Sequence, residues 1–230
     1  MHVSGAIVCQ DNASTIAAVV ENLAPLVDEI VAVDGGSTDG TRELLAARPD
    51  VRLFERPFDG NHARQKNFAF DRCRGRWILS VDSDELLAGW TRRRVAVLTR
   101  LPGARWYSIP RLWLVREADG GLAYLTSKPY FRDRQLRLFR NAPGFRFDEV
   151  ETPTHHAFVG KHGLGRPLRR PYIYHYTFLL QDRAEREAKV ARYRRAHPEA
   201  EAANRMYLWE ESGSGRAALP IAPPGLLAPR

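Results

Sequence analysis

Two apolar runs that each end in aspartate constrain the fold of this chain most strongly. They read EIVAVD (29–34) and RWILSVD (76–82). Their apolar residues are consecutive, as is typical of strands covered on both faces of a parallel sheet. VSGAIVC (3–9) and VRLF (51–54) have a similar length, and helix-length segments separate the four runs. The pattern predicts βαβ units, and therefore an α/β fold with a mostly parallel central sheet.

Helix signals fill the segments between these strands. Apolar residues recur with a spacing of three and four over residues 16–23, and Asn12 or Ser14 can cap that helix. Further helices are predicted over 41–47 and 62–73. Ligands of such folds bind beyond the carboxyl ends of the strands, where both aspartates stand.

After residue 100 the pattern changes to antiparallel strands. RWYSIPRLWLVRE (105–117), a DGG turn and LAYLTS predict a hairpin. RQLRLFR (134–140) and YIYHY (172–176) predict two more strands, and residues 180–197 predict a charged helix. The segment from 213 to 230 is rich in Gly, Pro and Ala, which predicts a disordered tail behind one domain, residues 1–212.

The charge balance favours negatively charged partners. Lys and Arg number 35 against 27 Asp and Glu, a net charge of +8. This excess suits phosphate-bearing ligands or an anionic membrane surface, whereas no motif of a nucleic-acid-binding protein accompanies it. The helix over 180–197 can rest on lipid or simply be solvated, and its cations are Arg183, Arg186, Lys189, Arg192, Arg194 and Arg195.

Localisation is predicted to be cytoplasmic, with peripheral contact at the inner face of a membrane as an alternative. No run of eighteen apolar residues and no secretory leader pattern occurs. Cys9 and Cys73 stand in apolar or helical contexts and form no CxxC pair, which favours reduced, buried thiols.

VDGGSTDGT joins the second strand to the next helix. Asp34 ends the strand, Gly35 and Gly36 allow a tight turn, and Ser37 or Thr38 can cap the helix. The motif is neither a P-loop nor a GxGxxG fingerprint, and any βα turn can look like this. The Asp34 carboxylate can also accept hydrogen bonds from a nucleobase or a ribose hydroxyl.

NHARQKNFAF (61–70) begins a helix beside the same edge of the sheet. Asn61 is the predicted cap, and Arg64, Lys66 and Asn67 fall on the first turns. These side chains can meet a diphosphate there, although basic residues on a helix are more often solvated.

VDSDE carries the clearest metal signal. Asp82 and Asp84 are separated by one residue after an apolar strand, so both carboxylates can approach a hard cation such as Mg²⁺ or Mn²⁺. Such an ion usually also takes phosphate oxygens of the substrate. The alternative is a strand that surfaces before a helix N-terminus, which favours acids.

Taken in order, DEIVAVDGGSTDGT, RPFDGNHARQKNFAF and GRWILSVDSDE resemble family 2 glycosyltransferases of the GT-A fold. They are most similar to the bacterial branch related to lipopolysaccharide-core β-glucosyltransferases. The resemblance implies a nucleotide-sugar-binding half (1–100), an acceptor-side half (101–178) and a C-terminal helix (179–212). It also implies inverting transfer from a nucleotide sugar, UDP-linked by default, to a bacterial glycan or glycolipid with Mn²⁺ or Mg²⁺.

The same resemblance assigns roles to single residues. Asp34 would contact the base, Asp82 the ribose or the metal, and Asp84 would be the principal metal ligand. His175 would be a third ligand or touch the diphosphate, although a lone His on a strand is more often structural. The predicted donor site comprises Gln10, Asp11, Asp34, Gly36, Ser37, Arg64, Lys66, Asn67, Asp82, Ser83, Arg137 and Arg140.

Inverting transfer needs a base for the acceptor hydroxyl, and a carboxylate should serve. Relatives often carry a His-Glu pair after the RLFR-like strand, where this chain has FDEVETPTHH (147–156). One alignment places His155-His156 at the pair and another places Glu151 near it. Glu151 is the predicted base and Glu149 the second candidate.

Three other functions remain open on the sequence. A relative that binds nucleotide sugars without catalysis is one, because the His-Glu region is altered. A nucleotidyltransferase is another, but its usual Gly-rich N-terminal phosphate loop is absent from AIVCQDNAST. A basic nucleic-acid-binding protein is the third, because the charge suits it, but no RNA- or DNA-binding motif is present. A zinc site at His155, His156 and His162 has no thiolate or HExxH motif to support it.

Overall fold

Parallel strands alternate with helices in the first half of the chain, as the apolar runs predict. The computed structural model describes residues 2–149, 158–159, 163–196, 206–208 and 215–223. The first elements are β1 (Val3–Cys9), α1 (Ile16–Leu23), a 3₁₀ turn (Ala24–Leu26), β2 (Glu29–Asp34), α2 (Thr41–Ala46), β3 (Val51–Glu55), α3 (His62–Arg72) and β4 (Trp77–Asp82).

The second half is mainly β-structure, with helices at two places. Its elements are β5 (Glu85–Ala88), α4 (Arg92–Arg100), β6 (Ala104–Arg116), β7 (Leu122–Leu125), β8 (Arg134–Arg140), β9 (Arg146–Phe147), β10 (Phe158–Val159), β11 (Leu164–Pro167), β12 (Tyr172–His175), α5 (Thr177–Leu180), α6 (Arg183–Ala196) and β13 (Arg216–Ala218).

One large mixed sheet organises the described part of the chain. Its main path runs β13-β7-β6-β8-β4-β1-β2-β3, and the four strands β4, β1, β2 and β3 are parallel. Cys9 of β1 is level with Asp34, and Val8 is level with Asp82. The two aspartates therefore end the strands on either side of β1, at one edge of the sheet, as predicted.

The long strand β6 connects the two halves of the sheet. Its first part pairs with β8 and β11, its middle with β12, and its end with β7 in the predicted hairpin. β12 also pairs with β5, which places Glu85 opposite His175. β5 was not predicted, because the acids before it favoured a loop or a helix start after Asp84.

Apolar packing on both faces holds the parallel strands. Ile16, Val19 and Leu23 of α1 are fully buried on one face, and Phe70 of α3 packs edge-on against Phe139 on the other, at 5.1 Å. Burial of each such side chain stabilises the fold by about 1.5–3 kcal/mol. The continuous apolar runs of β1, β2 and β4 follow from this double cover.

Some helix boundaries and caps differ from the prediction. α1 begins after Thr15 without a side-chain cap, and α2 begins after Gly40, whose φ of +95° favours glycine. The helix predicted over 180–197 is α6, which begins at Arg183, and the separate short helix α5 ends at Leu180. Asn61 caps α3 as predicted, because its side chain accepts a hydrogen bond from the backbone of Arg64.

Part of the segment predicted to be a disordered tail is ordered. β13 pairs antiparallel with β7, and the Tyr174 hydroxyl donates to the backbone oxygen of Ile221 at 2.5 Å. The domain therefore extends past residue 212. Cys9 and Cys73 are free and buried, as predicted. In the described ranges no helix has the length and hydropathy needed to cross a bilayer.

Candidate active site

Asp34 lies at the end of β2 with its carboxylate turned into its own loop. It accepts hydrogen bonds from the backbone of Gly36 and Ser37, both at 2.9 Å, and from the Ser37 hydroxyl. Only 1% of Asp34 is exposed. Gly36 has a φ of +99°, so the turn requires a residue without a side chain there. Asp34 therefore fixes the turn, and its contact with a nucleobase stays a prediction.

Hydrogen bonds tie the loops after β1 and β2 to each other. The Asp11 backbone donates to the Ser37 hydroxyl at 2.9 Å, and the Thr38 backbone donates to the Asp11 carboxylate at 2.8 Å. The Gln10 backbone donates to Asn12 at 3.0 Å, and the residue itself is exposed. The structure thus brings the predicted residues Gln10, Asp11, Gly36 and Ser37 together at the carboxyl ends of the strands.

Asp82 lies next to two cations at the end of β4. Lys66 of α3 reaches one carboxylate oxygen at 2.6 Å, and Arg137 of β8 binds both oxygens. The same guanidinium reaches Glu85, at 2.7 Å, and Glu85 is completely buried. Lys66 and Arg137 were predicted at the donor site, and they do lie at Asp82.

The ion pairs continue away from Asp82 toward β6. Arg111 contacts Glu85 at 3.3 Å and Asp133 at 2.7 Å, and Asp133 also accepts a hydrogen bond from Trp113. Three carboxylates thus alternate with three cations, which we call the buried charge network: Lys66, Asp82, Arg137, Glu85, Arg111 and Asp133.

Sequence reasoning missed Glu85, Arg111 and Asp133. For Glu85 and Arg111 the available signal was a charged residue at the start of the apolar run ELLA and another inside the apolar run IPRLWLV. A charge in such a position must find a partner.

Opposite charges offset the effect of burial on the pKa values of Asp82 and Arg137. Burial alone would raise the pKa of Asp82, but Arg137 and Lys66 outweigh it and hold that pKa well below its ordinary value. Burial would lower the pKa of Arg137, yet Asp82 and Glu85 raise it. For Lys66 burial prevails, so its pKa is lowered even though Asp82 opposes the shift.

Asp84 has a different set of partners. One carboxylate oxygen lies 3.3 Å from Nε2 of His175 and accepts a hydrogen bond from the Thr177 hydroxyl at 2.7 Å. The His175 ring packs edge-on against Trp113, with centroids 4.1 Å apart. Its Nδ1 is buried without a hydrogen-bond partner in the described ranges. Burial would raise the pKa of Asp84, but His175 outweighs it and keeps the carboxylate ionised.

The predicted three-residue metal cluster does not form. Among the described side chains, no three His, Cys, Asp or Glu residues are grouped to hold a metal ion. Asp82 is ion-paired with Lys66 and Arg137, and its role as a metal ligand stays a prediction. Asp84 and His175 remain adjacent, an oxygen and a nitrogen donor. Such a pair fits a divalent ion whose other ligands are substrate phosphate oxygens and water.

Asn67 holds the acceptor-side chain rather than facing outward. Its amide donates to the Phe147 backbone at 2.9 Å and to the Glu149 carboxylate at 2.7 Å, and it accepts from the Phe147 backbone. Asn61 donates to the Glu149 backbone at 2.9 Å. The donor-contact role predicted for Asn67 is therefore replaced by a structural one. Glu151, the predicted base, lies outside the described residues.

Other predicted site residues lie apart from these groups. Arg140 is at the opposite edge of the sheet, where its guanidinium stacks on Trp77 at 4.8 Å, so its donor-site assignment is wrong. Arg64 begins α3 but points to Asp59, at 3.1 Å. Ser83 lies in the turn between β4 and β5. The histidines 155, 156 and 162 fall outside the described residues.

α6 does not present all its cations to the surroundings. Arg186 is buried, stacks on the Phe178 ring and donates to the Tyr207 backbone at 3.1 Å. Lys189 lies 4.2 Å from the Tyr207 ring. Of the cations on this helix that could meet lipid or solvent, Arg186 is therefore buried, and membrane contact of the others stays a prediction.

Comparison with known proteins agrees with this geometry. Residues 6–102 match the model described as Glycosyl transferase family 2. Lipopolysaccharide core biosynthesis glycosyltransferase LpsC of Rhizobium meliloti (strain 1021) is 30% identical over 185 residues, which cover 78% of this chain and 64% of LpsC. Succinoglycan biosynthesis protein ExoO of the same organism is 31% identical over 140 residues, 60% of this chain and 35% of ExoO.

Solved structures share the fold. TarS of S. aureus, residues 1–349, has a TM-score of 0.54 at 16% identity and covers 90% of this chain, which spans 69% of that structure. The same fragment in complex with UDP-GlcNAc has a TM-score of 0.54 at 15% identity, over 90% of this chain and 70% of that one. At such identities the likeness shows the fold alone.

The parallel sheet, the aspartates at its carboxyl edge and the matched segment support one assignment. The chain has the GT-A fold, and its residues 6–102 match glycosyl transferase family 2.

Proposed function

We propose that this chain transfers a sugar from a nucleotide-sugar donor, UDP-linked by default, to a hydroxyl of a bacterial cell-envelope glycan or glycolipid. We propose further that a divalent cation is required and that the anomeric configuration is inverted. The observation that carries the proposal is the pair Asp82 and Asp84 at the end of β4, each with its own cationic or imidazole partner. The names of LpsC and ExoO, which concern envelope polysaccharides, support the acceptor class.

Asp82 is the group proposed to orient the nucleoside. Lys66 and Arg137 fix its carboxylate, while 26% of the side chain remains exposed. An ionised carboxylate held in this way can accept hydrogen bonds from a ribose hydroxyl. The ion pairs thus serve orientation, because they leave the carboxylate charged but unable to rotate.

Asp84 and His175 are the groups proposed to hold the divalent cation. Asp84 is ionised at neutral pH because His175 lowers its pKa. When bound, such an ion would neutralise the charge that develops on the leaving diphosphate. Thr177 donates to the same Asp84 oxygen and so restricts its rotation.

The base is proposed to be Glu151, on the chain that follows Glu149. Asn61 and Asn67 fasten that chain to the first turns of α3 through residues 147 and 149. This attachment supports a role for the segment beside the donor site. Glu149 is the weaker candidate, because its carboxylate already accepts a hydrogen bond from Asn67.

The test combines donor binding with turnover. UDP-sugars are screened by thermal shift with and without Mn²⁺, since a ligand that binds the native state raises Tm with concentration. Product formation from the best donor is then measured for wild type, Asp84→Ala and Asp84→Asn. We expect both variants to lose at least about a hundredfold in transfer or donor hydrolysis.

Asp71→Ala is the matched control, because Asp71 is an exposed carboxylate paired with Arg146. It should retain wild-type activity. Full activity of Asp84→Ala, or of wild type in excess EDTA, would contradict the metal role. Donor binding without any turnover would instead indicate a protein that binds nucleotide sugars without catalysis.

A further inference from the structure

A groove lies between α4 and the chain that leads into β12, on a side of the molecule that the proposed reaction does not use. Its volume is about 380 Å³, and its lining residues are Thr91, Arg93, Arg94, Val97, Leu98 and Arg170. Three arginines from two separate segments therefore line a space that also has aliphatic walls. This combination suits a ligand with a negative charge next to a hydrocarbon part.

The arginines of the groove have no acidic partners in the described part of the chain. No ion pair joins Arg93, Arg94 or Arg170 to a described carboxylate, whereas neighbouring Arg92 pairs with Asp28. Arg94 donates instead to the backbone oxygen of Gly89. The groove thus keeps its positive charge.

Positive charge continues from the groove to the amino ends of the parallel strands. Arg100 ends α4, and Arg105 begins β6 and lies against the Gly163 position. Burial lowers the pKa of Arg140, and the charges of Arg76 and Arg105 lower it further. The guanidinium groups are therefore close enough to repel one another.

Two exposed aliphatic side chains lie in the same region. Val97 of α4 is 53% exposed and Leu164 of β11 is 50% exposed. Leu164 lies over the turn that follows α4, within 3.8 Å of where a side chain at Gly103 would begin. We call α4, β11 and residues 168–170 together the α4–β11 surface.

We propose that the α4–β11 surface docks on a bilayer of anionic phospholipid, with the groove taking a headgroup phosphate. A bilayer offers negative charge in a plane and an apolar layer just beneath it. The negative charge would be bound by Arg93, Arg94 and Arg170. The apolar layer would be contacted by Val97 and Leu164. A nucleic acid would satisfy the arginines but would leave the aliphatic side chains without a favourable contact.

The surface lies at the opposite edge of the sheet from the candidate active site. Arg76 and Arg140 lie at the amino end of β4, whereas Asp82 ends the same strand. A strand of six residues is about 20 Å long. The bilayer would therefore contact the edge of the sheet opposite the candidate active site. This surface also replaces α6, whose Arg186 and Lys189 are packed against aromatic rings.

The test is co-sedimentation of the full chain with vesicles, read without any transfer reaction. Vesicles of phosphatidylcholine alone are compared with vesicles containing about a third phosphatidylglycerol, at about 0.1 M salt. Wild type should sediment with the anionic vesicles only. The triple variant Arg93→Gln/Arg94→Gln/Arg170→Gln should bind on the order of a hundredfold more weakly. Val97→Gln should cost a smaller factor of about three to ten.

A charge-matched control distinguishes the effect of where the arginines lie from the effect of the protein's net charge on vesicle binding. Arg42→Gln/Arg48→Gln/Arg183→Gln also removes three surface arginines, each paired with a carboxylate. This control should bind vesicles within about threefold of wild type. Thermal unfolding checks that both triple variants are folded.

Three outcomes would overturn the proposal. In the first, the wild-type protein does not co-sediment with the anionic vesicles. In the second, the two triple variants lose binding equally, which would mean that net charge alone acts. In the third, a short DNA duplex displaces the protein from vesicles and the Arg93/Arg94/Arg170 variant loses duplex binding, which would assign the surface to nucleic acid.

Discussion

The buried charge network and the α4–β11 surface use the same residue type in opposite ways. In the network, Arg137 contacts Asp82 and Glu85, and Arg111 contacts Glu85 and Asp133. On the surface, Arg93, Arg94 and Arg170 have no acidic partner among the described residues. Both regions are rich in arginine, but only the first is neutral within itself.

The free-energy cost of removing a charged group from water explains this difference. A guanidinium removed from water loses hydration that only a well-placed carboxylate can replace, so buried cations must be paired. An exposed guanidinium keeps its hydration and needs no partner in the chain. Ion pairs in the interior therefore fix the side chains of the candidate active site. A cluster of unpaired cations on the surface instead attracts negatively charged partners.

Removal of a buried cation should produce the largest effect. Arg137→Met leaves Asp82 and Glu85 without their shared partner, and breaking such a pair costs about 3–5 kcal/mol of unfolding free energy. Urea denaturation followed by far-UV circular dichroism measures the loss. The variant should also bind the donor more weakly, because Asp82 is no longer held.

Arg140→Met is the control on the same strand. Arg140 stacks on Trp77 and has no ion pair in the described ranges, so its loss should cost less than about 1 kcal/mol. Similar losses in the two variants would show that pairing does not distinguish the two regions.

The pH dependence of Asp84 should give a moderate effect. Its pKa is lowered in the folded protein, so the unfolded chain takes up the proton first as pH falls. The stability that Asp84 contributes is therefore complete above the ordinary pKa range of an aspartate. It is lost progressively as the pH falls below about 4 toward the lowered pKa of the folded protein. Asp84→Asn should cost about 1–3 kcal/mol near pH 7 and progressively less toward pH 3.

Urea denaturation at several pH values, with wild type and variant in parallel, measures this difference. Asp119→Asn is the comparison, because Asp119 is exposed and accepts a hydrogen bond from within its own turn, at Gly121. Its difference from wild type should be small at every pH. An Asp84→Asn deficit that stays constant from pH 7 to about pH 3 would contradict the coupling to His175.

The parallel half of the fold could be predicted because its signals are local. Consecutive apolar residues mark β1, β2 and β4, and Asn61 stands where a cap is needed. The strand ends then place Asp34 and Asp82 by geometry alone. β5 could not be found in this way, since its partner β12 is distant in sequence, two acids precede it and a third, Glu85, begins it.

Side-chain direction limited prediction of the site. Asn67 and Lys66 are adjacent on α3, yet Lys66 reaches Asp82 while Asn67 binds residues 147 and 149. Arg137 and Arg140 share a strand, but antiparallel pairing sets Arg140 opposite Trp77 at the start of β4, whereas the Arg137 side chain reaches Asp82 at its end. Such differences depend on register, which the sequence does not state. The order of β13 likewise depends on its pairing with β7 rather than on its own composition.

Removing charge from the α4–β11 surface should have the smallest effect on stability. Arg93→Gln/Arg94→Gln/Arg170→Gln breaks no ion pair with a described carboxylate and relieves repulsion among neighbouring cations. We expect its free energy of unfolding to lie within about 0.5 kcal/mol of wild type, or slightly above it at low salt. Urea denaturation at about 0.02 M and 0.5 M salt measures the change in the free energy of unfolding and its dependence on salt. A loss as large as that of Arg137→Met would mean that these arginines hold the fold, and the contrast between the two regions would fail.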